Sequence, residues 1–284
     1  VMLRIAIQSK GRLYEESMAL LEEAGIKIPG GKRTLLVPAR NFPVEMLFLR
    51  DDDIPESVAS GVADVGIVGL NEVMEKRCPV GILKKLGFGK CRLSLAIPQD
   101  IDYQDRNWFS GKKIATSYPG ILSDYLHKNG IVSDIHVITG SVEIAPGIRL
   151  ADAIFDIVSS GSTLVSNRLK EVETVVESEA VLIGTDSISP EKRGILDELL
   201  FRFDSVQAAD DKKYILMNVP QKKLNDVLSV LPGIKSPTVM PLADKEWCSV
   251  HTVLDEKCFW EIINRLKTAG AEGILVLDIE KMIL

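Results

Sequence analysis

Hydrophobic positions in this chain come in short runs separated by stretches with a three-to-four-residue rhythm. Leu3–Gln8, Leu35–Pro38, Val44–Leu49, Val65–Val68 and Cys91–Ile97 are apolar runs of strand length. Between them, Leu13 to Ala24 places Leu20 and Leu21 on one side of a helix. Ile54 to Val62 predicts a second helix, with Pro55 tolerated in the first turn, where its missing N–H has no partner anyway. A second set begins near Ile101, with strands at Lys113–Thr116, Ile135–Ile138, Phe155–Val158, Val172–Val176 and Val181–Ile183. Its helices fall at Ile121–Asn129, Ser160–Leu169 and Pro190–Phe203. Strands alternating with helices in this way predict α/β units built on a mostly parallel sheet.

After Asp210-Asp211 the order changes. Lys213–Val219, Thr238–Leu242, Cys248–Leu254 and Ile274–Ile279 are strands, and Gln221–Leu231 and Lys257–Ala269 are helices. That order, βαββαβ, is the ferredoxin-like unit.

Composition narrows the class. A chain of 284 residues holds two or three domains, and 46% hydrophobic with 26% charged residues is the balance of a soluble globular protein. No apolar window reaches the ~20 residues that span a bilayer, so no membrane partner is expected. A net charge of −6 argues against nucleic acid, which needs a clustered basic face. Cys78, Cys91, Cys248 and Cys258 show no C-x-x-C pair and no metal-type spacing with His127, His136 or His251, so reduced thiols and a cytoplasmic location are expected. The histidines lie too far apart for a Ser-His-Asp constellation, and His251 reads as a satisfied core residue in a strand.

The densest candidate chemistry lies in Ala151–Leu164. An apolar strand carries Asp156 near its end, then breaks into Ser159-Ser160-Gly161-Ser162-Thr163 before a helix. Small residues there let backbone N–H groups and hydroxyls face one phosphate at a helix N-terminus. An ordinary Ser/Thr helix cap explains the same residues, and local sequence leaves both readings open. Gln8-Ser9-Lys10-Gly11-Arg12 puts two cations at a strand-to-helix turn, where open α/β sheets bind ligands. Arg33 and Arg50 are candidates for pyrophosphate contacts, whereas Asp51 and Asp52 are explained by the dipole of a starting helix. Gly61 to Gly69, containing Asp64 and Gly66, is either turn chemistry or backbone approaching a ligand.

Together these words resemble the ATP phosphoribosyltransferase family. The resemblance rests on Gln8–Leu13, Arg50–Pro55, Gly61–Gly69, Cys91–Ala96, Lys113–Pro119, Gly140–Pro146, Ala151–Leu164, Leu231–Gly233 and Ile274–Leu277, in that order and spacing. It implies an α/β fold: a two-lobed, periplasmic-binding-protein-like catalytic part, followed by a ferredoxin-like (ACT-like) βαββαβ domain that marks the long form. Lobe I is then expected at 1–100 and 187–209, lobe II at 101–186, and the regulatory domain at 210–284.

The implied reaction moves the phosphoribosyl group of phosphoribosyl pyrophosphate to N1 of ATP and releases pyrophosphate with Mg²⁺, as the first step of histidine biosynthesis. Histidine inhibits, and the subunits form homo-oligomers from dimer to hexamer. By resemblance, Asp156 holds the ribose hydroxyls and Ser159, Ser160, Gly161, Ser162 and Thr163 the 5′-phosphate. Arg33 and Arg50 face phosphate charge, while Lys10, Gly11, Arg12, Asp64 and Gly66 belong to the ATP side. Leu231, Gly233, Ser236 and Thr238 form the histidine site, and no residue is assigned to the metal. One departure matters: phosphoribosyltransferases in general carry adjacent acids before a Thr-Gly pair, whereas Asp152 and Asp156 here are four apart. A solute-binding protein and a transferase for a free nucleobase are the rival readings.

Overall fold

β1 (Leu3–Gln8) is buried along almost its whole length because strands flank it on both sides, which is why it reads as an unbroken apolar run. The computed structural model describes residues 1–29, 35–232 and 237–284. α1 (Arg12–Glu23) follows, then β2 (Leu36–Pro38), β3 (Val44–Leu49), a 3₁₀ turn at Asp51–Asp53, and α2 (Ile54–Ala59). β4 (Val65–Gly69), α3 (Leu70–Lys76) and β5 (Gly81–Lys85) complete the first passage. The second passage runs through β6 (Cys91–Pro98), β7 (Lys113–Thr116), α4 (Pro119–Lys128), β8 (Asp134–Val137), β9 (Ala153–Val158), α5 (Ser162–Ser166) and β10 (Leu169–Ser178). β11 (Ala180–Gly184) and α6 (Pro190–Ala209) come next.

Two sheets result. The first has order β2-β3-β1-β4-β11-β5 and the second β10-β6-β9-β7-β8. β3, β1 and β4 are parallel, as are β9, β7 and β8. Ala6, Ile54, Val58, Val68, Val181 and Ile183 form part of the first lobe's core. Leu93, Phe109, Ile114, Leu122 and Phe155 anchor the second.

The exchange between lobes comes earlier than the sequence pattern suggests, at both ends. β6 pairs with β9 and β10 in the second sheet, so the chain has crossed by Cys91, not near Ile101. β11 pairs with β4 in the first sheet, so it has returned by Ala180, not near Ser187. An isolated strand reveals its apolar face but not its neighbours, which is why boundaries drawn from loops miss both crossings. The two crossing segments are stitched side by side: Leu86 N–H donates to Ala180 C=O at 2.9 Å and Ala180 N–H to Phe88 C=O at 2.9 Å.

Residues 201–284 make a second compact unit. It takes in the last turns of α6, and Met282 N–H of the tail donates to Ser205 C=O at 2.9 Å. β12 (Lys212–Pro220), α7 (Leu224–Val230), β13 (Thr238–Pro241), β14 (Trp247–Asp255), α8 (Glu256–Ala269) and β15 (Glu272–Asp278) give the sheet order β13-β14-β12-β15. All its pairs are antiparallel, as in the ferredoxin-like unit. β12 turns Ile215, Met217 and Val219 inward at alternate positions, and α8 meets them with Phe259, Ile262 and Leu266. His251 is half-buried rather than core; its ring nitrogens face Tyr214 Oη at 2.7 Å and Ser249 Oγ at 2.9 Å.

α3 and β5 escaped the sequence reading because each is short and carries little periodicity, yet α3 ties the lobes together. The Glu75 carboxylate accepts the N–H groups of Gly120 (2.8 Å) and Ile121 (2.9 Å), the first turn of α4 in the other lobe. Those amides have no partner inside their own helix. Arg77 donates to Asp124 Oδ2 at 2.7 Å and to Gly120 C=O at 3.1 Å.

Beside this lies a buried polar cluster. Ser178 Oγ donates to Asn71 Oδ1 (2.9 Å), Asn71 Nδ2 donates to Glu72 Oε1 (3.1 Å), and Tyr118 Oη donates to the same oxygen (2.9 Å). Burial raises the Glu72 carboxyl to about 7; the Tyr118 hydrogen bond opposes that shift and Asp51 and Asp52 add to it. Tyr118 is itself pushed well above its ordinary range by burial and by Glu72.

A raised acid means that the folded protein keeps a proton the unfolded chain has released. Stability therefore falls as pH rises from 4.5 to about 7, and the full penalty is present above 7. Glu72→Gln should be more stable than the parent above pH 7, by roughly 1–3 kcal/mol, and no more stable near the acid end of that window. Urea denaturation across this pH range checks it, and a difference independent of pH would contradict it.

Candidate functional site

The C-terminal ends of parallel strands are where an open α/β sheet leaves a crevice. Here the ends of β1, β3 and β4 in one lobe face the end of β9 in the other. After β1 the chain turns through Ser9, Lys10 and Gly11, all exposed, with Gly11 at φ 93° and Arg12 opening α1. A left-handed φ of that kind suits glycine, which has no Cβ to clash. Arg12 Nε holds Glu16 at 3.2 Å, and its Nη1 crosses the cleft to Ser159 Oγ at 3.3 Å.

A second guanidinium reaches the same residue. Arg92, opposite Val158 in the β6–β9 register, donates Nε and Nη2 to the two Glu171 oxygens, each at 2.5 Å. This bidentate fork fixes the plane of the side chain. It leaves Nη1 on the Ser159 carbonyl at 3.2 Å. Arg92, with help from the Ser94 and Thr174 hydroxyls, holds the Glu171 carboxyl down at about 2, and Glu171 in turn raises Arg92.

Between these cations and β9 lies the Ser159–Thr163 turn. Gly161 sits at φ 80° as the residue preceding α5 and has no side chain to cap it, while Ser160 Oγ accepts the Ser162 N–H at 3.4 Å. Ser160 and Ser162 hydroxyls lie 2.9 Å apart, and Ser160, Ser162 and Thr163 are exposed. α5 is shorter than its pattern suggested because Arg168 takes φ 56° and breaks it before β10. Asp156, opposite Ser94, lies two residues before the strand ends. Burial lifts its carboxyl to about 6, against the Ile157 N–H, which lowers it, while Glu143 adds to the rise.

Other expected site residues divide. Arg50 follows β3 directly, with its side chain 81% exposed and Nε 3.4 Å from Asp52. Arg33 lies outside the described residues. Asp64 and Gly66 are not at the cleft. Asp64 precedes β4, at the opposite end from the crevice, where it accepts the Arg4 N–H at 2.8 Å and is clamped by Lys192 at 2.8 and 2.7 Å. Gly66 is buried in mid-strand under α2, and a Cβ there would lie 2.6 Å from Ile54 Cγ2. Its small size serves helix–strand packing, not a ligand. In the C-terminal unit, Leu231 ends α7, Thr238 opens β13 opposite His251, and Gly233 and Ser236 lie outside the described residues.

Residue reading passed over Glu171, Glu72, Asn71 and Ser178. The Arg92–Glu171 pair spans 79 positions, and only the β6–β10 pairing brings it together. Chemically, the arrangement offers two fixed guanidinium groups, a small-residue turn and a buried carboxyl of adjustable charge. Among the described residues no group of three or more His, Cys, Asp or Glu side chains is placed to hold a metal, and no helix is long and apolar enough to cross a membrane.

Comparisons with known proteins bear on this site. The family model for ATP phosphoribosyltransferase matches residues 50–205, and that for the HisG C-terminal domain matches residues 209–281. An ATP phosphoribosyltransferase of Bacteroides fragilis is 70% identical over 283 residues, covering 100% of each chain. One from Cytophaga hutchinsonii is 57% identical over 281 residues, covering 99% of this chain and 98% of its own. Among solved structures, the ATP phosphoribosyl transferase (HisG:HisZ) complex from Thermotoga maritima matches with TM-score 0.62 and 27% identity, over 71% of this chain and 96% of that one. A substrate binding protein of an amino acid ABC transporter matches with TM-score 0.49 and 10% identity, over 74% and 94%. With two family models adjoining along the chain and relatives matching it end to end, this chain belongs to the ATP phosphoribosyltransferase family of histidine biosynthesis.

Proposed function

We propose that the cleft transfers the phosphoribosyl group of phosphoribosyl pyrophosphate to N1 of ATP, releasing pyrophosphate. The observation that carries this reading is the convergence of Arg12 and Arg92, from opposite lobes, on Ser159 at 3.3 and 3.2 Å. A 5′-phosphate in the Ser159–Thr163 turn meets both cations, the hydroxyls and the backbone of Gly161. Asp156 then accepts the ribose hydroxyls. Its carboxyl, raised to about 6, is mostly ionised at neutral pH and is an acceptor there.

The adenine ring nitrogen attacks with its own lone pair, so no side-chain base is required. What the site must supply is position and opposite charge for the leaving diphosphate. Lys10 and Arg50, at the ends of β1 and β3, are the exposed cations on that side, with Arg33 assigned alongside them by resemblance. No residue is assigned to Mg²⁺, and among the described residues no group of three or more His, Cys, Asp or Glu side chains is placed to hold it. A Mg²⁺ fits this chemistry as an ion carried in on substrate phosphates, as that ion often is, and no step here is routed through it.

The C-terminal unit is proposed as the histidine sensor, around Leu231–Thr238. Its support is the βαββαβ fold after residue 200 and the C-terminal family match. The Thermotoga chain, described in complex with HisZ, is matched over 96% of its length by 71% of this one, and the C-terminal family match falls on residues 209–281. Homo-oligomers from dimer to hexamer and a cytoplasmic location follow from the family resemblance alone.

Incubation with ATP and phosphoribosyl pyrophosphate, watching pyrophosphate release and N1-substituted adenine absorbance, tests the reaction. Release with free adenine but not ATP supports the nucleobase rival, and no release supports a solute-binding protein. Thr163→Ala should weaken phosphoribosyl pyrophosphate binding by roughly 1.5–3 kcal/mol, the worth of a charged hydrogen bond, in a calorimetric titration of folded protein. Affinity for the same substrate should decline as pH falls through about 6, as Asp156 takes up its proton. Asp156→Asn should flatten that decline, and an unchanged pH profile would remove the residue from the ribose. Thr238→Ala should raise the histidine concentration for half-inhibition about tenfold, a coupling loss of ~1.4 kcal/mol, with the uninhibited rate kept. Equal inhibition of parent and variant would place the sensor elsewhere.

A further inference from the structure

The N-terminal end of the second sheet carries a cavity that the cleft chemistry does not use. It has a volume of about 480 Å³ and lies where β7 and β9 begin and β6 ends. The cleft sits at the other end of β9, six residues away, or about 20 Å at the rise of an extended strand. That volume is within the range of small-molecule sites, roughly 300–1,000 Å³.

Its walls combine an aromatic plate with unpaired positive charge. Trp108, half-buried, lines it beside Ile101 and Leu150, and Lys112 Nζ stands 5.1 Å from the centre of the indole ring. Lys113 and Arg149 also line it, with Asp152 and small apolar residues. None of the three cations pairs with a carboxylate among the described residues. The acid present, Asp152, has one oxygen taken by the Lys113 backbone N–H at 2.8 Å. A chain with net charge −6 thus gathers three cations around one acid at this spot.

Arg149 adds a conformational observation. Its backbone is left-handed, at φ 61°, where a residue with a Cβ is strained. The turn is held by Arg149 N–H to Pro146 C=O (3.1 Å) and Leu150 N–H to Ala145 C=O (2.9 Å). Glycine suits such a position for folding alone; an arginine there puts a guanidinium at the cavity mouth instead.

We propose that this cavity binds a nucleoside monophosphate, its base stacked on Trp108 and its phosphate held by Lys113, Arg149 and the Lys112 ammonium displaced from the indole. Base-on-indole stacking and phosphate–cation pairing are the two interactions this lining offers at once. The assignment is independent of the reaction in the cleft.

The test uses the full chain with Trp247→Phe and Trp260→Phe, leaving Trp108 as its tryptophan, titrated with GMP and UMP. Ribose 5-phosphate, guanosine and inorganic phosphate serve as probes lacking the ring, the charge, or the nucleoside. Trp108 emission should change saturably with the two nucleotides and not with the other three. Arg149→Gly and Lys113→Gln should each weaken the response at least tenfold, leave pyrophosphate release unchanged, and in the glycine case not lower Tm. No saturable change up to about 10 mM, tenfold beyond the weakest affinities of interest, would overturn the proposal. So would an equal response to ribose 5-phosphate or full retention of binding in both variants. If the tryptophan-depleted protein does not fold, calorimetric GMP titration of the parent and Arg149→Gly decides the question: a nucleotide affinity unaltered by Arg149→Gly overturns the proposal, and a tenfold loss supports it.

Discussion

The carboxylate of Glu75 takes the two leading amides of α4 from across the lobe boundary, and much of the cleft geometry depends on that grip. A helix N-terminus presents unpaired N–H groups and a partial positive charge, so a carboxylate from another element is an effective anchor. Because α3 follows directly from β4, the anchor ties the crevice end of the first sheet to the second lobe. Asn71, Glu72, Tyr118 and Ser178 extend the joint inward, where unmet hydrogen bonds are expensive and relative orientation is therefore strongly specified. Only with the lobes in this register does Arg12 reach Ser159, 147 positions away.

Within the cleft, charge is distributed by partner rather than by number. Arg92 is held by Glu171 on two nitrogens and keeps the third on the Ser159 carbonyl, so its plane is fixed. Arg50 is the opposite case, exposed to solvent with an acidic neighbour, Asp52, at 3.4 Å. The two raised carboxyls, Glu72 and Asp156, are likewise separated by environment: the first is enclosed in the lobe joint with its own donors, the second is set near the end of a strand facing the turn.

The glycines of Gly61–Gly69 show how one motif serves packing and turning together. Gly61 takes φ 77° to stop α2, Gly66 makes room for Ile54 and Val58, and Gly69 delivers the chain to α3.

By itself, the sequence determined the elements whose burial is written in their periodicity. β1, β3, β9 and β12 and the helices α1 and α8 fall where the apolar pattern places them, because a strand or helix needs only its own spacing to declare a buried face. The βαββαβ order of the C-terminal unit and the Asp156–Thr163 turn were legible for the same reason, being local. Tertiary structure alone decided which sheet each strand joins, and so moved the lobe crossings to Leu86–Lys90 and Ser178–Ala180. It also decided that Asp64 faces Lys192 at the far end of β4, and that Arg92 meets Glu171. Those outcomes depend on pairing between segments tens of residues apart, and nothing in the side-chain pattern of one segment encodes the identity of its neighbour.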